Sequence, residues 1–176
     1  MTSPKKRKAA RSTDRDERRV SAIRVSYRVL SHAEMEALLA KHHVGSMAIA
    51  FHDRVTIVLS NYVYADHWIY GRMEQGPDLA TLRHHRWVAF EVSEIDGIYD
   101  WRTVTVHGPI ELLADDGSPR GAEVFQAALS LVRSVVPAVF TPRDPVPQRV
   151  QLFRLHADEL VGREFSSNDR GELPPP

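Results

Sequence analysis

The stretch "YGRMEQGPDLATLRHH", Tyr70 to His85, joins a guanidinium and two glycines to the first turns of a helix. Arg72 at a strand end can grip a phosphate through two parallel hydrogen bonds. Gly71 and Gly76 would let the backbone approach a ligand closely, and a helix N-terminus offers N–H donors. Against this stands Asp78, whose carboxylate repels a phosphate unless it caps the helix instead. The plain alternative is a surface Arg72 paired with Glu74 or Asp78 on an ordinary glycine turn. Asn61, in "LSNYVYA", is a second point of interest, because asparagine is disfavoured in mid-strand and implies a specific partner for its side chain. Ser60 adds a polar group beside it, whereas Tyr62 and Tyr64 share one face and read as packing or dimer contacts. Trp101 and Arg102 open another strand after a polar loop. There the arginine can reach a phosphate and the indole can serve as a core or interface anchor.

The nine histidines raise a metal question. His42-His43 and His84-His85 are adjacent pairs near helix ends, where neighbouring side chains diverge. No local zinc-protease spacing is present, and interaction with helix C-termini accounts for the pairs, so no catalytic metal is expected. No serine sits in a nucleophile-elbow motif, which argues against a hydrolytic triad.

These side chains need elements to hold them. "VLSHAEMEALLAKHHVG" carries a capping box, Ser31 with Glu34, and Leu30 and Met35 are spaced as a hydrophobic staple. The period then becomes two. "GSMAIAF" and "VTIVLSNYVYA" predict a hairpin about "HDR", with "HWIYGR" following a short turn at Ala65-Asp66. Pro77 suits the first position of a short helix whose small apolar face is Leu79 and Leu82. "WVAFEVSE" and "WRTVTVHGPIELL" alternate again, with Val104 and Val106 on one face and Trp101, Thr103, Thr105 and His107 on the other. "RGAEVFQAALSLVRSVVP" predicts an amphipathic helix through Phe125, Ala128, Leu129 and Val132, ended by Pro137. "TPRDPVPQ" is too proline-rich for regular structure, and "RVQLFRLHADELVG" closes the domain. Short antiparallel strands with few helices predict a mainly β, α+β fold: a six- or seven-stranded antiparallel β-barrel with peripheral helices.

A chain of 176 residues, 43% hydrophobic and 26% charged, fits one soluble domain. It holds no cysteine, which excludes disulfides and thiol chemistry and fits a cytoplasmic protein. No apolar run suggests a membrane span, and the N-terminus lacks a secretory pattern. The net charge of zero hides an asymmetry, since residues 1–19 hold eight Lys/Arg against three Asp/Glu. That segment is expected to be a disordered basic tail, with the domain at 20–165 and a flexible tail at 166–176. "KKRK" can attract nucleic acid, but the domain beyond has no matching basic stripe, so a solvated tail is the favoured reading.

Taken in order, "VGSMAIA", "LSNYVYADHWIYGRMEQGPDLATLRHHRWVAFEV", "WRTVTVHGPIELL" and "LFRLHADELVGR" resemble the pyridoxamine 5′-phosphate oxidase-like family of FMN-binding split barrels, nearest its nitroimidazole-reductase-like branch. The resemblance covers most of residues 30–165. It implies a homodimer with two FMN sites at the subunit interface, acting as an oxidoreductase that transfers hydride to or from a small-molecule substrate. The implied cofactor contacts are Ser60, Asn61 and Tyr62 along the flavin. Arg72, Met73, Gly76, Asp78 and Leu79 would meet the phosphate and ribityl chain, with Trp101 and Arg102 on the other side. No catalytic side chain is assigned. The alternative is a non-catalytic protein that binds or senses a flavin, deazaflavin or haem. Many relatives have histidine at position 72 and lysine or arginine at 77 or 78. Positive charge must therefore come from Arg72, Arg102 or the partner subunit.

Overall fold

The computed structural model describes residues 25–114 and 117–167. The expected basic tail at 1–19, and positions 168–176 of the C-terminal one, lie outside the described residues. Strand β1, Val25–Val29, precedes helix α1, His32–Lys41. The capping box forms as the sequence predicts: the Glu34 N–H donates to Ser31 Oγ at 3.4 Å, and the Ser31 N–H donates to Glu34 Oε2 at 2.8 Å. Leu30 and Met35 are both buried, completing the staple. Strands β2, Val44–Phe51, and β3, Arg54–Ala65, pair as the expected hairpin. Strand β4, Trp68–Met73, returns along β3 through Asp66 and His67, whose φ values of 50° and 64° are those of a tight two-residue turn.

The short helix α2, Pro77–Leu82, follows, and β5, Trp87–Gly97, pairs with β6, Asp100–Leu113. Helix α3 spans Pro119–Val135, and β7, Gln151–His156, and β8, Glu159–Ser167, end the fold. The strand order is β1-β8-β6-β5-β2-β3-β4-β7, with β6 also pairing β7. Six strands (β6, β5, β2, β3, β4 and β7) thus close into a ring, and β8 and β1 extend from it. This is the expected antiparallel split barrel with peripheral helices.

Two strands exceed the sequence reading. Val25, Tyr27 and Val29 of β1 are all more than half exposed, so their alternation carries no core signal. "RVQLFRLHADELVG" is two strands, and β8 runs to Ser167, two residues into the expected tail, where Ser167 pairs with Val25.

Strand β6 serves two neighbours. Trp101 to His107 pair with β8, and Ile110 to Leu113 pair with β7. Gly108 lies at the changeover, against the His156 carbonyl. Inside the ring, Met47, Ile49, Tyr62, Ile69, Phe90, Val104, Val106 and Phe153 make one core with Leu38 and Leu39 of α1. A second cluster of Ala128, Leu129 and Val132 from α3 with Leu113, Val139 and Leu152 covers the barrel beside β4 and β7. No helix among the described residues is long and apolar enough to cross a membrane.

Candidate functional site

A cleft of about 270 Å³ opens where β3, β4 and the entry to α2 meet the chain leading into β7. Strand β3 contributes Ser60, β4 contributes Arg72 and Met73, and the turn into α2 contributes Glu74, Gly76 and Asp78. Arg149 enters from the proline-rich loop.

The Arg72 guanidinium is 5% exposed and already holds a carboxylate. Its Nη1 and Nη2 donate to the two oxygens of Asp144 at 2.5 and 2.7 Å, a fork-on-fork pair, and Nη1 also donates to the Arg149 carbonyl at 3.3 Å. Neither Glu74 nor Asp78 is its partner, which corrects the surface-pair reading. Both terminal nitrogens thus have partners within the chain, and the fork expected for a phosphate is held by Asp144. Asp144 also accepts the backbone N–H groups of Phe140 and Val146 at 2.8 and 2.9 Å. The bond from Arg72, then these two, hold its carboxyl well below the usual range. One carboxylate therefore ties the irregular loop to the barrel wall.

Arg149 is the cation that sequence reasoning missed. Its Nη2 donates to the Leu59 carbonyl at 3.1 Å, and it forms no ion pair among the described residues. The available signal was its position, the last residue but one before β7 at the end of "TPRDPVPQR". A loop without regular structure gives no reason in its sequence to face inward.

Among the other expected contacts, Ser60, Met73, Gly76 and Asp78 do line the cleft. Ser60 is buried, with its hydroxyl donating to the Asn61 carbonyl at 3.1 Å. Asp78 does not cap α2: Gly76 is the N-cap and no side chain bonds there. Asn61 is exposed, and its side chain makes no hydrogen bond among the described residues, so the expected partner is not found within the chain. The Tyr62 side chain faces the core, its hydroxyl donating to the Leu39 carbonyl at 2.8 Å and its ring meeting Phe90 edge-on at 5.1 Å. Leu79 is likewise buried in the core. Neither side chain reaches the cleft, because both belong to the inward face of their element.

Trp101 and Arg102 line a different part of the molecule. Trp101 stacks on Phe165 of β8 at 5.5 Å, and Arg102 Nη2 lies 3.1 Å from Glu94 Oε1. Lys41 and His42 reach the same carboxylate at 2.8 and 3.3 Å. Lys41 first, and then His42 and Arg102, lower Glu94 to about 2. A carboxyl whose pKa is depressed in the folded state adds stability above its ordinary value and loses it as pH falls through the depressed value. Glu94 and Asp144 therefore predict a melting temperature that drops from about pH 4.5 toward 2. Glu94→Gln should flatten part of that drop in a pH series of thermal melts, and an unchanged slope would remove Glu94 from the account.

Gly76 offers a separate check on the cleft. Its φ of 171° is extended backbone open to any residue, and a Cβ added there would meet nothing within 4 Å. Gly76→Leu should leave the melting temperature of the ligand-free protein within about 1 °C while obstructing whatever enters the cleft. A large loss of stability would mean that the glycine serves the fold alone.

Comparison with known proteins now adds to this geometry. Residues 31–164 match the family model described as pyridoxamine 5′-phosphate oxidase. Among solved structures, the chain is similar to an FAD-binding protein from Mesorhizobium loti, with 26% identity, a TM-score of 0.64, and coverage of 81% of this chain and 99% of that one. It is also similar in fold to a proposed 5-nitroimidazole antibiotic resistance protein from Bacteroides thetaiotaomicron, with 16% identity, a TM-score of 0.62, and coverage of 83% and 93%. An FAD-binding protein from Mycobacterium smegmatis shares the fold at 18% identity and a TM-score of 0.55, over 79% of this chain and all of its own, 100%. A search of curated proteins gives no match.

Proposed function

Because this chain belongs to the pyridoxamine 5′-phosphate oxidase family, we propose that it binds a flavin and acts as an oxidoreductase on a small molecule. The observation that carries the reading is the cleft itself. It presents Arg149 free of any ion pair among the described residues, beside the buried Arg72 and the open Gly76 backbone. FMN and FAD share a ribityl chain bearing a phosphate, and that shared portion is what the donor set fits. When bound, the flavin supplies the redox chemistry, while the protein positions it.

In this reading Arg149 donates to the phosphate, and the Arg72–Asp144 pair keeps the loop carrying Arg149 in place. Ser60, with its hydroxyl turned to the Asn61 carbonyl, shapes the wall, and Asn61 offers an unused amide to the ligand or to a second subunit. Glu74 and Asp78 repel negative charge and so bias the phosphate toward the Arg149 side of the cleft.

A homodimer completes the site in this proposal. A cleft of about 270 Å³ lies at the small end of ligand pockets. Val55, Ile57 and Leu59 of β3 stand 66%, 72% and 60% exposed on one face. Their cross-strand partners Ala50, Ala48 and Ser46 are small, giving a flat apolar surface suited to a second copy. Trp101 and Arg102, which do not line the cleft of their own chain, are then candidates to face the ligand across the interface. A strictly monomeric native mass would remove this part of the proposal.

The direct experiment is denaturing release of the co-purified ligand, with its absorbance spectrum and mass. FMN or FAD is the expected result, while a deazaflavin or haem would redirect the cofactor assignment. A colourless protein that takes up neither flavin on reconstitution would overturn the reading. Turnover is tested by whether protein-bound reduced flavin passes its electrons to an acceptor faster than free flavin does. Arg149→Ala should weaken flavin binding by about 10- to 100-fold, the worth of a hydrogen bond to a charged group. Asp78→Ala should change it much less, as fluorescence titration would show.

A further inference from the structure

We propose that His32, Glu36 and His67 form a surface site for a divalent transition-metal ion of the zinc or nickel class. The three residues come from two elements far apart in sequence, which is why local motif spacing does not reveal them. His32 and Glu36 lie one turn apart on α1, so their side chains share a face. His67 comes from the two-residue turn between β3 and β4. His67 Nδ1 lies 3.1 Å from Glu36 Oε1, and His32 Nε2 lies 3.7 Å from the same oxygen. All three donor atoms fall within 4.8 Å of one another, the one such group of three among the described residues.

These separations suit a small ion. Tetrahedral bonds of about 2.0–2.1 Å to nitrogen and oxygen space the ligand atoms roughly 3.3 Å apart. The His67–Glu36 pair is already near that spacing, while His32–Glu36 at 3.7 Å and His32–His67, within 4.8 Å, have to draw in around the ion. Two imidazoles and one carboxylate without a thiolate favour zinc, nickel or copper over calcium or magnesium. Both histidine side chains are more than 60% exposed, so the remaining coordination positions face water.

The surroundings hold the ligands in position. The Tyr64 hydroxyl donates to Glu36 Oε1 at 3.0 Å, fixing the carboxylate from the sheet side. The backbone of His67 is pinned as well, because its carbonyl accepts the Ala157 N–H at 2.9 Å. The His67 φ of 64° is a conformation that glycine or asparagine adopts at less cost than histidine. An ion at this position would join α1 to the β3–β4 hairpin.

Two histidines pairing with one glutamate could account for the same distances without a metal, and titration separates the two cases. Untagged full-length protein is titrated calorimetrically with zinc chloride alone, with thermal melts in parallel. The expected result is one ion per chain with micromolar affinity and a higher melting temperature. His32→Ala and His67→Ala should each weaken binding by at least about 10-fold. The double variant His84→Ala/His85→Ala should bind as the parent does. No binding at millimolar zinc, or binding unchanged in His67→Ala, would overturn the proposal. Both ligand histidines are exposed, so their variants should fold, and circular dichroism verifies this.

Discussion

Arg72→Ala should lower the melting temperature by about 10 °C, a larger loss than any exposed substitution in this chain would cause. The guanidinium is 5% exposed and the Asp144 side chain 2%, so the substitution strands a charged carboxylate away from water. The two backbone bonds from Phe140 and Val146 remain, but they do not neutralise it. Arg72→Lys should recover little, since an ammonium cannot reproduce the two-pronged contact. The double variant Arg72→Ala/Asp144→Ala should be less destabilised than the single Arg72→Ala, because no unpaired charge is left behind. Equal melting temperatures for wild type and Arg72→Ala would show that the pair contributes nothing to the fold. Flavin affinity should also fall in Arg72→Ala, through the displaced loop rather than a lost phosphate contact. A loss of affinity without loss of stability would instead restore Arg72 as the direct clamp.

Gly108→Ala should be at least as damaging. A Cβ at this position would stand 1.9 Å from the His156 carbonyl oxygen and 3.1 Å from its carbon. The obstacle is backbone, so no side-chain rotation relieves it, and β6 or β7 must move where the barrel closes. Gly108 sits where β6 leaves β8 for β7, so displacement there opens the ring. Insoluble expression, or a melting temperature lower by more than about 10 °C, is the expected outcome. Wild-type stability in Gly108→Ala would mean that the strands approach less closely than described. Gly76→Leu is the internal contrast, since there the new side chain enters open space.

The barrel was legible because its signals are local. The capping box, the staple and the period-two runs each fix one element, and all point to the same architecture. Strand β1 was not, because its apolar residues face outward. The site was legible only in part. "YGRMEQGPD" marked the right place, since Arg72, Met73, Gly76 and Asp78 line the cleft. The partner of Arg72 lies 72 residues away in a proline-rich loop, and no periodicity connects such positions. Arg149 was hidden for the same reason. The side chains of Tyr62 and Leu79 pack in the core: Leu79 belongs to the apolar stripe of α2, and Tyr62 lies on the same side of β3 as Ser60, which two residues earlier reaches the cleft.

The Arg72–Asp144 pair reaches beyond stability, because only four residues lie between Asp144 and Arg149. A proton that neutralises Asp144 releases the fork, frees the loop and moves the unpaired cation away from the cleft. Retention of the ligand and tolerance of acid therefore share one fastening. On acidification a loss of flavin set by that carboxylate should come together with the loss of fold stability and at lower pH than the part set by Glu94, because Asp144 is held lower still.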